Sequence, residues 1–254
     1  MRQPDGLLSR LAASPCSNPE MSLEEALAAY AGLGFGKFEV FTSWAGSAFD
    51  IDADPGDYLA AGRRHGMEFV SMHLPPVRGD DTAATLDRAV RAAEFAEAIG
   101  ANVVLYKADS RETYVAAAAE FLERTEGIAV TPVVQNHFGT PVSSTDDFRE
   151  VLGRIDDGRM KALLEVGHFH SAGVEWPEGY ELLRGRIALV HVKDQVGRQS
   201  VPFGTGEIDL PGLFSRLAAD GYAGDVVVEM ETEDRENRLR YLGEALEYLK
   251  ELMT

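Results

Sequence analysis

The chain has 254 residues, and its 42 acidic side chains outnumber its 24 basic ones to give a formal net charge of −18. This charge repels nucleic acid and anionic membranes, so we expect neither as a partner. The only cysteine, Cys16, excludes an internal disulfide and a thiolate-rich zinc cluster. No signal-like or membrane-spanning apolar run is found, which predicts a cytoplasmic protein, while a homodimer is left open.

In the first half of the chain, segments typical of strands alternate with segments typical of helices. Ser22 and Glu25 have the spacing of a capping box, and Pro75 and Pro76 end the third strand. The predicted elements are a weak strand at 6–13, a helix from 22 to 34 or 36, a strand at 37–41, a helix at 54–65, a strand at 67–73, a helix at 82–99 and a strand at 102–107.

The second half continues the alternation without a linker or a low-complexity tract. The predicted elements are a helix at 111–128, a strand at 131–136, a helix at 144–155, a strand at 161–165, a short helix ending near 184–185, a strand at 187–192, a helix at 210–220, a strand at 225–230 and a helix at 234–252.

These eight strand–helix units determine the expected fold. Strands that alternate with helices pair in parallel through right-handed crossovers, and eight units in about 250 residues match a closed (β/α)₈ TIM barrel. The alternative, a doubly wound open sheet, is disfavoured because no Gly-x-Gly-x-x-Gly follows the first strand. We therefore predict a single α/β barrel domain over residues 1–254.

Four apolar strands end on side chains that bind metals or move protons. These strands end at Gln135, Glu165, His191 and Glu229, and His168 lies three residues after Glu165. A barrel brings such strand ends to one mouth. Oxygen ligands with an imidazole suit Mn²⁺, Mg²⁺, Co²⁺ or Zn²⁺. Each acid alone is also consistent with a helix cap or an ion pair.

The sequence resembles the xylose isomerase-like barrels, which include sugar and sugar-phosphate isomerases and epimerases. The motifs that carry the resemblance are Leu-Glu-Val-Gly-His ending at His168, Val-His-Val-Lys-Asp ending at Asp194, Gly-Thr-Gly-Glu-Ile-Asp ending at Asp209, Gly-Tyr-Ala-Gly ending at Gly224, and Val228-Glu229. The resemblance implies a divalent metal held by Gln135, Glu165, His191 and Glu229. It also implies that His168 contacts the substrate or metal-bound water.

Two residues depart from the family pattern, which usually has Glu at position 135 and Asp at position 165. Gln135 keeps a carbonyl ligand but accepts no proton near neutral pH. This breaks the exchange of a proton between two acids that the family's epimerases use. A metal-dependent isomerase or dehydratase that forms an enediolate remains, with Glu229 as the single base and a small sugar or polyol as substrate.

Other strand-end residues are candidates for supporting roles. Lys107 assists catalysis if burial lowers its pKa, or else pairs with Asp109 or Glu39. His73, His137 and Glu39 are candidate substrate-binding residues, although either histidine is also consistent with a structural role.

One further prediction concerns Lys193, and two alternative hypotheses concern the function of the protein. We expect Lys193 and Asp194 to form an ion pair that orients His191. A non-catalytic sugar- or metal-binding barrel is the alternative function. A DNA-repair endonuclease of the same superfamily is disfavoured by the net charge of −18.

Overall fold

Residues 6–253 are described by the computed structural model, and eight parallel strands in this range close into a barrel. The barrel strands are β1 (Leu11–Ala13), β2 (Lys37–Val40), β3 (Glu68–His73), β4 (Val103–Leu105), β5 (Thr131–Gln135), β6 (Lys161–Glu165), β7 (Ile187–Val192) and β10 (Asp225–Val228). Their order round the barrel is β1-β10-β7-β6-β5-β4-β3-β2, and β1 pairs with both β10 and β2. The predicted (β/α)₈ fold is confirmed.

Helices connect the strands on the outside of the barrel. They are α1 (Leu23–Leu33), α2 (Pro55–His65), α3 (Thr82–Ala98), α4 (Arg111–Arg124), α5 (Thr145–Ile155), α6 (Val166–Ser171), α7 (Trp176–Leu183), α8 (Leu210–Ala219) and α9 (Arg238–Leu252). Short 3₁₀ segments cover Leu7–Arg10, Pro15–Ser17 and Arg235–Asn237.

The structure corrects several predicted boundaries. The segment predicted as a strand at 6–13 begins with a 3₁₀ turn, so that only Leu11–Ala13 pairs with its neighbours. The helix predicted at 111–128 ends at Arg124, and the last helix starts after a 3₁₀ turn. The prediction missed helix α6 and the antiparallel hairpin of β8 (Asp194–Val196) and β9 (Gln199–Val201). The capping box of Ser22 and Glu25 is confirmed.

Side chains alternate between two apolar layers, because successive residues of a strand point to opposite faces. Outward-facing residues such as Val134, Leu164 and Val190 pack in the large cluster beneath the helices. The inward-facing residues fill the barrel interior, and they are Ala12, Val70, Val103, Leu105, Val133, Leu163, Leu189 and Val227. This interior cluster is the floor beneath the mouth of the barrel.

Strands β3 and β7 each contain one extra residue relative to a neighbour. The register of β2 with β3 passes from Phe38–Phe69 to Glu39–Ser71 and skips Val70. The register of β6 with β7 passes from Ala162–Ile187 to Leu163–Leu189 and skips Ala188. Such bulges change the direction of the side chains that follow them.

Among residues 6–253, no helix is long and apolar enough to cross a bilayer. That a single domain extends over all of residues 1–254 stays a prediction.

Candidate active site

A ring of polar side chains lies one step above the apolar floor, at the carboxyl ends of the strands. We call it the mouth tier, and all eight barrel strands contribute to it through Ser14, Glu39, His73, Lys107, Gln135, Glu165, His191 and Glu229. Several of these residues lie two positions beyond a member of the interior cluster, as His191 follows Leu189 and Glu229 follows Val227. The two-residue period therefore directs them into the barrel.

Glu39 lies at the centre of the first group of contacts. Its Oε1 is 3.2 Å from His73 Nε2 and 2.9 Å from His191 Nε2. The hydroxyls of Ser14 and Ser71 donate to its two oxygens at 2.9 and 3.0 Å. The carboxylate is fully buried. Burial alone would raise its pKa, but His191 and His73 hold the pKa of Glu39 well below its usual range.

His191 connects Glu39 to Glu229. Its Nδ1 is 3.0 Å from Glu229 Oε1, and the ring is fully buried. Burial lowers the pKa of an imidazole, yet the carboxylates of Glu39 and Glu229 together raise the pKa of His191 to about 10. Neither ring nitrogen makes an aligned hydrogen bond in the described structure, and the same holds for His73 Nε2. These nitrogens are therefore close to carboxylates without being directed at them.

The donor atoms of Glu39, His73 and His191 fit a divalent cation. One ligand atom from each lies within 4.8 Å of the others, and all three residues are buried. Buried nitrogens without aligned partners are costly unless something else binds them. Two imidazoles and one carboxylate form a donor set that suits Zn²⁺, Mn²⁺ or Co²⁺.

Lys193 binds the acids on the other side of His191. Its ammonium is 2.7 Å from Glu229 Oε2 and 3.8 Å from Glu165 Oε1, and it also contacts Glu231. Burial lowers the pKa of an amine, but Glu229 and Glu165 raise the pKa of Lys193 well above its usual value. Burial would raise the pKa of Glu229, but the charges of Lys193 and His191 overcome this effect and hold the pKa of Glu229 well below its usual value.

The predicted ion pair between Lys193 and Asp194 is wrong. The Asp194 carboxylate instead accepts from the backbone N–H groups of Gln195, Gly204 and Gly206 at 3.0, 2.9 and 2.9 Å. Since Lys193 follows His191 by two residues, it points into the barrel while Asp194 points away. Asp194 therefore fixes the loop after β7 and leaves Lys193 free to bind the acids of the mouth.

Glu165 has a structural task beside its predicted role as a ligand. It is the N-cap of α6, and its carboxylate accepts from the N–H groups of Gly167 and His168. Asn136, which the sequence analysis did not single out, fixes the Glu165 backbone with hydrogen bonds of 2.7 and 3.0 Å. Burial raises the pKa of Glu165 to about 7, because Lys193 offsets only part of the desolvation.

The predicted substrate residues His137 and His168 lie together. Their ring centroids are 3.7 Å apart, and His168 Nδ1 is 4.0 Å from Glu165 Oε2. Burial, followed by the Lys193 charge, holds the pKa of His168 far below its usual value, so this imidazole is neutral. Gln135 is 8% exposed at the end of β5, and within residues 6–253 its side chain makes no hydrogen bond.

Lys107 pairs with neither of its two predicted partners. Its Nζ is 2.7 Å from His73 Nδ1, while Asp109 accepts from the Gly79 amide. Burial lowers the pKa of Lys107 to about 8, although Glu39 and Glu229 act in the opposite direction. Burial thus lowers the pKa of Lys107 as expected, and the residue that its amine contacts is His73.

The structure brings six of the predicted site residues into two connected groups, and within the described part of the chain Gln135 joins neither group. Glu39, His73, His191 and Lys107 form one group, and Glu229 joins His191 to Lys193 and Glu165 in the other. Sequence reasoning missed Lys193 as the centre of the second group. Leu189, His191 and Lys193 are spaced two residues apart, and this alternation would have indicated that Lys193 faces the barrel interior.

This fold and mouth place the chain in a known class of barrels. Residues 27–252 match the family described as xylose isomerase-like TIM barrel, and the chain belongs to that family.

The curated relatives include an inosose dehydratase of Mesomycoplasma hyopneumoniae, which is 28% identical over 48% of this chain and 48% of its own length. The inosose dehydratase of Clostridium perfringens is 27% identical over 47% of each chain. The chain therefore spans about half the length of the curated relatives that it matches.

Among solved structures, the IolI protein with a bound zinc atom has a TM-score of 0.77 at 16% identity, over 96% of this chain and 98% of that one. The 3-keto-D-glucoside 4-epimerase YcjR of E. coli has a TM-score of 0.79 at 14% identity, over 95% and 99%. At this level of identity, both comparisons show the shared fold.

Proposed function

We propose that this protein is an isomerase or dehydratase of a small sugar or polyhydroxy carbonyl compound, with a divalent cation at the mouth tier. One observation carries the proposal: buried imidazole and carboxylate donors converge at the catalytic end of a barrel, and three of their nitrogens lack aligned hydrogen bonds. The names of the curated relatives, inosose dehydratases, support a substrate of this class. A cytoplasmic location fits small-molecule metabolism.

Two donor sets are candidates for the cation, and they share His191. One is the predicted set of Gln135, Glu165, His191 and Glu229. The other is the group of Glu39, His73 and His191 that the structure brings together. A bound divalent cation polarises a carbonyl oxygen and offsets the negative charge of an enediolate.

The chain's own residues supply the proton transfer. Glu229 takes the proton from the carbon beside the carbonyl, and the electron pair of that C–H bond forms the enediolate. In an isomerisation the proton returns to the former carbonyl carbon, and the hydroxyl proton of the carbon that was deprotonated passes to the former carbonyl oxygen. In a dehydration the enediolate expels the hydroxyl of the next carbon, and Lys107 donates the proton that makes water. His137 and His168 bind substrate hydroxyls.

Gln135 limits the reaction to one basic face. A neutral amide accepts no proton near neutral pH, so the second base of a two-base epimerase is missing at this position. We therefore propose that the protein does not invert a single stereocentre by proton exchange between positions 135 and 229.

Proton exchange in D₂O tests the function directly. Protein of measured metal content is incubated with inososes, ketoses and aldoses, and NMR follows deuterium at the carbon beside the carbonyl. We expect deuterium incorporation with an isomerised or dehydrated product. Glu229→Gln should slow the exchange by about 10³-fold, whereas Glu244→Gln on the outer face of α9 should not. Exchange that persists in Glu229→Gln would refute this base.

A second candidate, a barrel that binds a sugar without turnover, is favoured by the contact of Glu229 with Lys193. A carboxylate whose pKa is held well below its usual range is a weak base. The exposed Trp44 reports binding, because Phe41 lies between its ring and His73, with centroids 5.2 and 4.2 Å away. A sugar that changes Trp44 fluorescence but shows no exchange would establish this second candidate.

A further inference from the structure

The space between Glu165 and Glu229 already contains a positive charge. The Lys193 ammonium is 2.7 Å from Glu229 and 3.8 Å from Glu165, it also contacts Glu231, and its side chain is 1% exposed. Its alkyl stem lies against Gly167, where a Cβ would be only 2.7 Å from Lys193 Cδ. The absence of a side chain at position 167 thus gives the lysine its path into the mouth.

A divalent ion held by the predicted set would have to share that space. The ammonium would repel it at short range, where the charges are poorly screened. Glu165 already accepts two backbone N–H groups, and Gln135 brings no charge. The predicted ligands therefore have little negative charge left for a second cation.

The group on the other side of His191 has the opposite character. Glu39 Oε1 is 2.9 Å from His191 Nε2 and 3.2 Å from His73 Nε2, and neither nitrogen makes an aligned hydrogen bond. Ser14 and Ser71 hold the carboxylate in place, as outer hydrogen bonds hold metal ligands in known sites. The other ring nitrogen of His73, Nδ1, is 2.7 Å from Lys107 Nζ, and this contact fixes the orientation of the imidazole.

We propose that a divalent ion binds to Glu39, His73 and His191, and that the Lys193 ammonium is the resident cation of the neighbouring cluster formed by Glu165, Glu229 and Glu231. The proposal rests on the proposed function only in expecting a divalent ion at this mouth. It moves the ion from the strand ends of β5, β6 and β10 to those of β2 and β3, with His191 shared.

The number of imidazoles on the ion separates the two placements without any mutation. The proposed site has two histidines, and the predicted set has one. X-ray absorption spectroscopy of the zinc-loaded wild-type protein counts imidazole ligands through their multiple scattering. We expect two imidazoles for each zinc ion, and a single imidazole overturns the proposal.

Zinc affinity, measured by calorimetry, gives a second test with matched variants. Glu39 and Glu165 are both fully buried, so the two Glu→Gln changes are equivalent in size and burial. We expect Glu39→Gln to weaken binding by at least about 100-fold, since second-layer changes alone cost about 10- to 100-fold. Glu165→Gln should change the affinity by less than about threefold, which is about 0.6 kcal/mol. The reverse order overturns the proposal.

Removal of the resident charge provides the third test. Lys193→Met keeps the stem against Gly167 and removes the ammonium. We expect tighter zinc binding, and in this background Glu165→Gln should now weaken it. No gain in Lys193→Met, or no zinc binding to the wild type, also overturns the proposal. Deuterium exchange in the same preparations reports separately on the proposed function.

Discussion

The substitution Gly167→Ala isolates the close approach between α6 and Lys193. An added Cβ would lie 2.7 Å from Lys193 Cδ and 3.0 Å from Cε, and closer still to Cγ. Carbon atoms in contact are normally about 3.5–4.0 Å apart. The lysine stem would have to move by about 1 Å, although its ammonium is fixed by Glu229 and Glu231.

The expected cost follows from two opposing terms. Overpacking in a buried region costs about 1–3 kcal/mol, and breaking the contact of Lys193 with Glu229 adds to it. The better helix propensity of alanine returns at most about 1 kcal/mol. We expect a net loss of about 1–3 kcal/mol in the free energy of unfolding.

Urea unfolding followed by circular dichroism measures this loss. Gly153→Ala in α5 is the matched control, because its Cβ meets nothing within 4 Å and the residue is exposed. That variant should gain about 0.5–1 kcal/mol. In a Lys193→Ala background the stem is gone, and Gly167→Ala should no longer destabilise the protein. If Gly167→Ala and Gly153→Ala are equally stable, the contact with Lys193 does not constrain the fold.

Three further predictions concern other contacts. Asp194→Ala should lower the free energy of unfolding by about 3 kcal/mol, because it removes three hydrogen bonds from backbone N–H groups of the loop after β7. A loss no larger than that of Asp194→Asn in the same urea assay would contradict this. Ser144→Ala should lower the free energy of unfolding by about 1 kcal/mol because it removes the N-cap of α5, whereas Ser144→Thr keeps the hydroxyl and most of the stability. Equal losses in the two variants would show that the capping hydroxyl does not stabilise the helix. The Cys16 thiol is buried, and desolvation together with the charges of Glu229 and Glu231 raises its pKa. Iodoacetamide at pH 8 should therefore modify Cys16 in the native protein at least about tenfold more slowly than in the urea-unfolded chain. Equal rates of modification, measured by mass spectrometry, would show that the thiol is accessible.

The sequence predicted most of the barrel because its strands are short apolar runs that stop abruptly at polar residues. The bounds of β6 and β7 agree with the prediction, since Lys161 and Ile187 begin them and Glu165 and Val192 end them. Helix α6 was missed because its six residues directly follow Glu165, a strand end already interpreted as a ligand. The β8–β9 hairpin has three-residue strands with little apolar content.

The candidate site was predicted in its composition but not in its contacts. Lys193 was paired with Asp194 because the two are adjacent in sequence, whereas the alternation of a strand separates neighbours. The contact of Glu39 with His191 joins β2 to β7, and two other strands lie between them in the sheet. Such a contact exists only because the barrel closes, so no local spacing reveals it. The ligand set itself stays a prediction.

The bulges in β3 and β7 shift the residue count along each strand without changing the face that its histidine occupies. Val70 belongs to the interior cluster and Ala188 packs against that cluster, although each lies three residues before the histidine of the mouth tier on its strand. A regular period of two would place residues three apart on opposite faces, so each bulge lets two successive residues face the interior. A related sequence that lacks Val70 or Ala188 would return to regular alternation and keep the histidine in the mouth. A one-residue alignment gap at either point would therefore leave this donor set intact.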